Sequence, residues 1–224
     1  MIKKRKIVFL TGTRADFGKL KPLMDKVEKS DIFDCHIFVT GMHTLKKYGN
    51  TSQEVIKCKY KNIEIFDNQK NSKKQDIILA NTIFGFSDYV TKLHPDMVIV
   101  HGDRVEALGG AIVGSLNNIL VSHIEGGEIS GTIDELIRHA VSKLSHIHFV
   151  ANSDAKVMPK SIKNDANIFP KSSKMMPRRA SGGFWERHER ATCNVQRPSR
   201  LLWPKALIRF LAFWRWLGDL LEPF

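Results

Sequence analysis

Between Lys6 and Ala151 the chain alternates short, nearly unbroken apolar runs with longer stretches whose apolar residues recur at helical spacing. The runs Lys6 to Leu10, His36 to Thr40, Ile63 to Phe66, Met97 to Val100, Ile119 to His123 and Ile147 to Ala151 read as strands. The stretches Phe17 to Lys29, Gln75 to Leu93, Val105 to Leu116 and Thr132 to Ser145 read as amphipathic helices. Strands that are apolar along their whole length must be covered on both faces, so the pattern predicts an α/β fold, a parallel sheet with helices on both sides. Thr132, followed three residues later by Glu135, is a capping box that should open the last helix. Phe84, Phe86 and Met97 fit core packing.

After Ala155 the rhythm stops. From Met158 to Arg200 basic residues alternate with Pro, Ser and Gly without sustained periodicity, which predicts mostly loop. Leu201 to Phe224 turns apolar and aromatic, with Lys205, Arg209, Arg215, Asp219 and Glu222 gathered on one side of an imperfect amphipathic helix. The expected division is therefore a domain over 1–156 and an unrelated, irregular tail over 157–224.

Charge sharpens that division. The net charge of +12 suggests a polyanion partner, but residues 1–156 hold 22 Lys+Arg against 18 Asp+Glu, while 157–224 hold 13 against 5. All four tryptophans and six of the eight prolines also lie in the tail. No zinc-finger, RNA-recognition or basic-zipper spacing accompanies the charge, so no specific nucleic-acid partner is expected. Cys35, Cys58 and Cys193 share no metal-ligand spacing, which points to a reducing cytoplasm with no structural metal. No uncharged apolar stretch approaches the roughly 20 residues that a transmembrane helix needs.

In an open parallel sheet the residues just beyond the strand ends do the chemistry. Here those residues are polar: Thr11-Gly12-Thr13-Arg14-Ala15-Asp16, then Gly41-Met42-His43, His101-Gly102-Asp103-Arg104 and Glu125-Gly126-Gly127-Glu128. The first turn leads into a helix, and Arg14 with Lys19 suits a phosphate as well as it suits a plain solvated turn. It lacks the spacing of a dinucleotide fingerprint. Asp103 either caps the following helix or, with Glu125 on a nearby strand end, takes part in proton transfer. Glu135 belongs to the capping box, which leaves Asp134 as the candidate functional acid of that helix start. His43 has two readings, contact with a diphosphate or sugar hydroxyl and simple solvation, whereas His123, His139, His146 and His148 read as structural or supporting groups.

Four segments in order, TGTRADFGKLKP, GMHTLKKYGNT, HPDMVIVHGDRVEAL and HIEGGEISGTIDELIRHAVSKLSHIHFVAN, resemble the hydrolysing UDP-N-acetylglucosamine 2-epimerases from about Ile2 to Ala155. The resemblance implies a Rossmann-like domain, the N-terminal half of a GT-B-type fold. It also implies elimination of UDP from the nucleotide sugar to a glycal, then hydration to N-acetylmannosamine, in sialic-acid-type sugar synthesis without a cofactor. Carried over by motif, Asp103, Glu125 and Asp134 would be the acid and base groups. Arg14, Arg104, Lys19 and His43 would lie near the diphosphate of the UDP-sugar substrate. A homo-oligomer is compatible with that family. A UDP- or GDP-linked diamino sugar is the sibling substrate, and a non-catalytic binding module is the reading from another class. Residues 157–224 are too few for the family's second domain, so the expectation is a junction or frameshift tail on a chain with little activity of its own.

Overall fold

The structure, a computed structural model, describes residues 3–70, 73–151, 155 and 167–170. Its elements run β1 (Arg5–Thr11), α1 (Arg14–Glu28), β2 (Phe33–Val39), two 3-10 turns (Gly41–Thr44 and Lys46–Tyr48), α2 (Ser52–Lys57) and β3 (Asn62–Ile65). They continue with α3 (Gln75–Leu93), β4 (Met97–His101), α4 (Val105–Leu116), β5 (Leu120–Ile124), α5 (Ile133–Leu144), β6 (Ile147–Val150) and β7 (Asn167–Pro170). The sheet order is β3-β2-β1-β4-β5-β6-β7. From β1 to β6 every pairing is parallel, with Ile7 opposite both Cys35 and Met97, and Val98 opposite Val121.

This order carries the architecture of the site. The chain begins in the middle of the sheet, builds outward to β3, then crosses back to place β4 beside β1. Connections on the two sides of that step depart in opposite directions, opening a crevice beyond the carboxyl ends of β1 and β4. Below the crevice the central strands are apolar and buried, and Val8, Leu10, Val98, Val100 and Val121 pack with Phe38, Phe86 and Val90. Phe86 and Met97 are indeed core residues, whereas Phe84 is exposed on the outer face of α3.

The six strands and four helices expected from the pattern are present, and three local features differ. Helix α1 begins at Arg14 rather than Phe17, because Thr13 is its N-cap and accepts the Asp16 amide at 3.2 Å. That brings Arg14 and Asp16 into its first turn. The short helix α2 and the 3-10 turns lie in a stretch with too few residues to show a period. Strand β7 lies within the stretch expected to be mostly loop. The amphipathic segment Leu201 to Phe224 lies outside the described residues. Among the described residues no helix is long and apolar enough to cross a membrane.

Candidate active site

The strand ends at the crevice hold a chain of four charged side chains. His101 closes β4 and is buried, with Nδ1 at 3.1 Å from Asp16 Oδ1 and Nε2 at 3.1 Å from Glu125 Oε2. The same Glu125 oxygen accepts the Lys19 ammonium. Asp16 and Lys19 come from α1, His101 from β4 and Glu125 from the turn after β5, so three separate elements build it. An imidazole with a carboxylate oxygen at each nitrogen can donate to both only as the imidazolium. Burial opposes that charge, but the hydrogen bonds and charges of Asp16 and Glu125 outweigh it and raise His101 above its ordinary pKa. For Asp16, burial pushes the carboxyl up, and the bond to His101, its charge and the Thr13 hydroxyl pull it below the ordinary carboxylate value. Glu125 has φ 60°, a left-handed backbone that costs a non-glycine residue roughly 1 kcal/mol. Its turn thus holds a strained backbone while presenting the carboxylate to His101.

Asp103 does not cap α4. The N-cap of α4 is Arg104, which makes no side-chain capping bond, and Asp103 instead receives the Arg138 guanidinium from α5. Arg138 also donates to the Glu128 carbonyl at 2.7 Å, tying the turn after β5 to α5. Beneath them His123 donates from Nε2 to the Gly102 carbonyl at 2.7 Å and accepts the Ser142 hydroxyl at Nδ1, 3.0 Å away. Total burial drives its pKa down to about 3, so it is a neutral brace under both turns, in keeping with a structural role.

The solvated reading of His43 is overturned. Its side chain is 0% exposed, with Nε2 3.0 Å from Thr11 Oγ1 and Nδ1 2.8 Å from Thr51 Oγ1. Thr11 Oγ1 already donates to the Thr13 carbonyl, so His43 donates to Thr11 and accepts from Thr51. Burial lowers its pKa, consistent with the neutral ring. Arg14 is exposed at the rim and pairs with Glu54 of α2 at 3.1 Å. Asp134 is exposed in the first turn of α5. The expected capping box is not made: Thr132 is the N-cap but makes no side-chain capping bond, and Glu135 accepts the amides of Ser130 and Gly131, before the N-cap. Asp16 and His101 were not singled out as site residues from sequence. The Thr-x-x-Asp spacing of Thr13 and Asp16 was the signal available for the first of them.

The model of the family described as UDP-N-acetylglucosamine 2-epimerase matches residues 25–167. A UDP-N-acetylglucosamine 2-epimerase of Neisseria meningitidis serogroup B is 52% identical over 67% of this chain and 40% of its own length. A UDP-N,N'-diacetylbacillosamine 2-epimerase (hydrolyzing) of Legionella pneumophila is 41% identical over 68% of this chain and 41% of its own. The chain therefore spans about 40% of the length of these relatives. Among solved structures, that of the UDP-GlcNAc 2-epimerase from Neisseria meningitidis bound to UDP-GlcNAc matches with a TM-score of 0.67 at 22% identity, over 75% of this chain and 46% of that one, a likeness of fold. The fold is thus α/β and GT-B-like, and the chain belongs to the UDP-N-acetylglucosamine 2-epimerase family.

Proposed function

We propose that this chain supplies the acid–base wall of a hydrolysing UDP-N-acetylglucosamine 2-epimerase, which converts UDP-N-acetylglucosamine and water into N-acetylmannosamine and UDP. The observation that carries the reading is Glu125, held at the crevice between the Lys19 ammonium and the Asp16–His101 pair. Such a carboxylate has an ammonium and an imidazole within hydrogen-bond reach, and the imidazole is a partner with which it can exchange a proton. In the first half-reaction a base removes the proton at C2 while the bond from C1 to the diphosphate oxygen breaks, leaving the glycal and UDP. In the second, water adds across that double bond, oxygen to C1 and a proton to C2 on the opposite face.

Asp103, Glu125 and Asp134 are the proposed acid and base groups. Arg14 and Arg104 face the diphosphate, and Lys19 lies between Glu125 and that charge. His43, buried behind the Thr11 turn, serves by fixing that turn. No step needs a metal or redox group, and the site suits a cytoplasmic enzyme working on a UDP-sugar. The 52% identical relative supports the N-acetylglucosamine substrate, and a 32% identical polysialic acid biosynthesis protein P7 of Escherichia coli supports a place in sialic-acid-type synthesis. The diamino sugar is the second reading, because the 41% identical relative is named for it.

The test uses the chain itself and a chimera in which residues after 156 are replaced by the corresponding part of the Neisseria meningitidis serogroup B relative. Both are incubated with each nucleotide sugar in D2O and followed by NMR. The reading expects the chimera to release UDP and N-acetylmannosamine carrying deuterium at C2, and expects little turnover from the chain alone. Intact UDP-N-acetylmannosamine as product would overturn the hydrolysing assignment. A preference for the diamino sugar would overturn the substrate.

A further inference from the structure

Glu106 is the least expected charge in the molecule. It lies in the first turn of α4, is 1% exposed, and its Oε1 is buried with no hydrogen-bond partner among the described residues. A buried carboxylate oxygen without a partner costs on the order of 1–3 kcal/mol or more, so something other than stability keeps it there. Its other oxygen, Oε2, accepts Arg104 Nε at 3.3 Å. No other hydrogen bond or ion pair engages Arg104, so among the described residues both of its Nη groups are left without one. Arg104 is also the N-cap of α4, a poor place for a cation, because the helix end already carries positive partial charge. A cation held at that end becomes favourable once an anion sits in front of it.

The slot that holds Glu106 is built from two glycines. A Cβ on Gly41 would lie 2.6 Å from Glu106 Oε1, and one on Gly12 would lie 3.3 Å from the Glu106 side chain. Gly12 follows β1 and Gly41 follows β2, while Glu106 follows β4, so the carboxylate reaches from the β4 side of the crevice against two loops on the other side. Gly41 also has φ +63°, which a side chain rarely adopts.

We propose that Glu106 is a positioning residue that grips Arg104 by Nε and aims its two Nη groups at the diphosphate of the bound nucleotide sugar. The inference rests on the reading of the crevice as a nucleotide-sugar site. It opposes simple charge counting: removing a negative charge beside an arginine should strengthen anion binding, whereas losing the grip should weaken it.

The experiment measures UDP binding to the 224-residue chain by calorimetry, beside the Arg104 Nε–H resonance in 15N NMR, for the wild type, Glu106→Gln and Glu106→Ala. A dispersed spectrum in each variant checks that it is folded. The grip predicts a shifted, slowly exchanging Nε–H in the wild type. It predicts UDP binding about tenfold or more weaker in Glu106→Ala, with partial rescue in Glu106→Gln, whose amide oxygen still accepts from Nε. Binding that is unchanged or tighter in both Glu106 variants overturns the inference. Absence of UDP binding by the wild type overturns the site reading itself and the aim of Arg104 with it.

Discussion

Replacing Asp16 by Asn tests whether the buried chain at the crevice is ionic. The amide keeps the size and an oxygen for His101 Nδ1 at the 3.1 Å contact, removes the charge, and turns the second oxygen into an NH2 donor. Two unit charges about 4 Å apart at an effective dielectric of about 20 attract by about 4 kcal/mol, which desolvation offsets in part. The net worth of a hydrogen bond to a charged group is about 1.5–3 kcal/mol, against about 1 for a neutral one, so the substitution should cost about 1–2 kcal/mol where His101 is charged. His101 is raised in the folded state, so its contribution is fully present below its unfolded value near pH 6.5 and is lost as pH rises through its folded value. Asp16 is lowered, so its contribution is present above its unfolded value near pH 4 and is lost as pH falls through its folded value. The wild type should therefore hold a plateau between about pH 4 and 6.5, and the gap to Asp16→Asn should be widest there. Urea unfolding across this range, with the His101 Cε1 proton titration recorded in parallel, gives both quantities. A gap that stays constant, or widens, as His101 deprotonates would refute the imidazolium.

Three further outcomes follow from contacts elsewhere at the crevice. Arg138→Met should cost about 2 kcal/mol in urea unfolding, less than the roughly 3–5 of a fully buried broken pair, because Asp103 is 29% exposed and can rehydrate. Gly114→Ala should cost about 1–3 kcal/mol by overpacking, since its Cβ would meet Val121 Cγ2 at 2.5 Å; a melting temperature equal to wild type would deny the close seat of α4. In the chimera, Glu125→Gln and Asp103→Asn should each lower UDP release about a hundredfold or more, and full activity in either would remove that residue from acid–base work.

The strand ends were legible in the sequence because a parallel sheet sends every carboxyl end to one rim, so Arg14, Asp103 and Glu125 could be placed there from their order alone. What each charge faces was not legible. Lys19 lies 106 residues from Glu125, and Arg138 lies 35 from Asp103, so neither pair follows a local period. His43 misled for a related reason: a loop histidine looks solvated until the Thr11 and Thr51 hydroxyls, from β1 and the approach to α2, close on its two nitrogens.

A motif as short as His101-Gly102-Asp103-Arg104-Val105-Glu106 carries much of the crevice because its charged side chains face different elements. Its charges diverge in three directions: His101 toward α1 and the turn after β5, Asp103 toward α5, and Glu106, paired with Arg104, toward the loops of β1 and β2. That divergence requires α4 to lie close against the sheet, and the sequence provides for it with Gly110 and Gly114 one turn apart on the inner face. A Cβ at Gly110 would meet Leu10 Cδ1 at 2.9 Å, and one at Gly114 would meet Val121 within 2.5 Å. Glycine weakens a helix by roughly 1 kcal/mol relative to alanine, so the three in α4, Gly109 against Thr82 included, are a cost that close packing offsets. Lifting α4 by the breadth of a methyl group would withdraw Glu106 from its slot and with it the partner of Arg104 Nε, which makes the inner face of α4 a determinant of how the crevice is built.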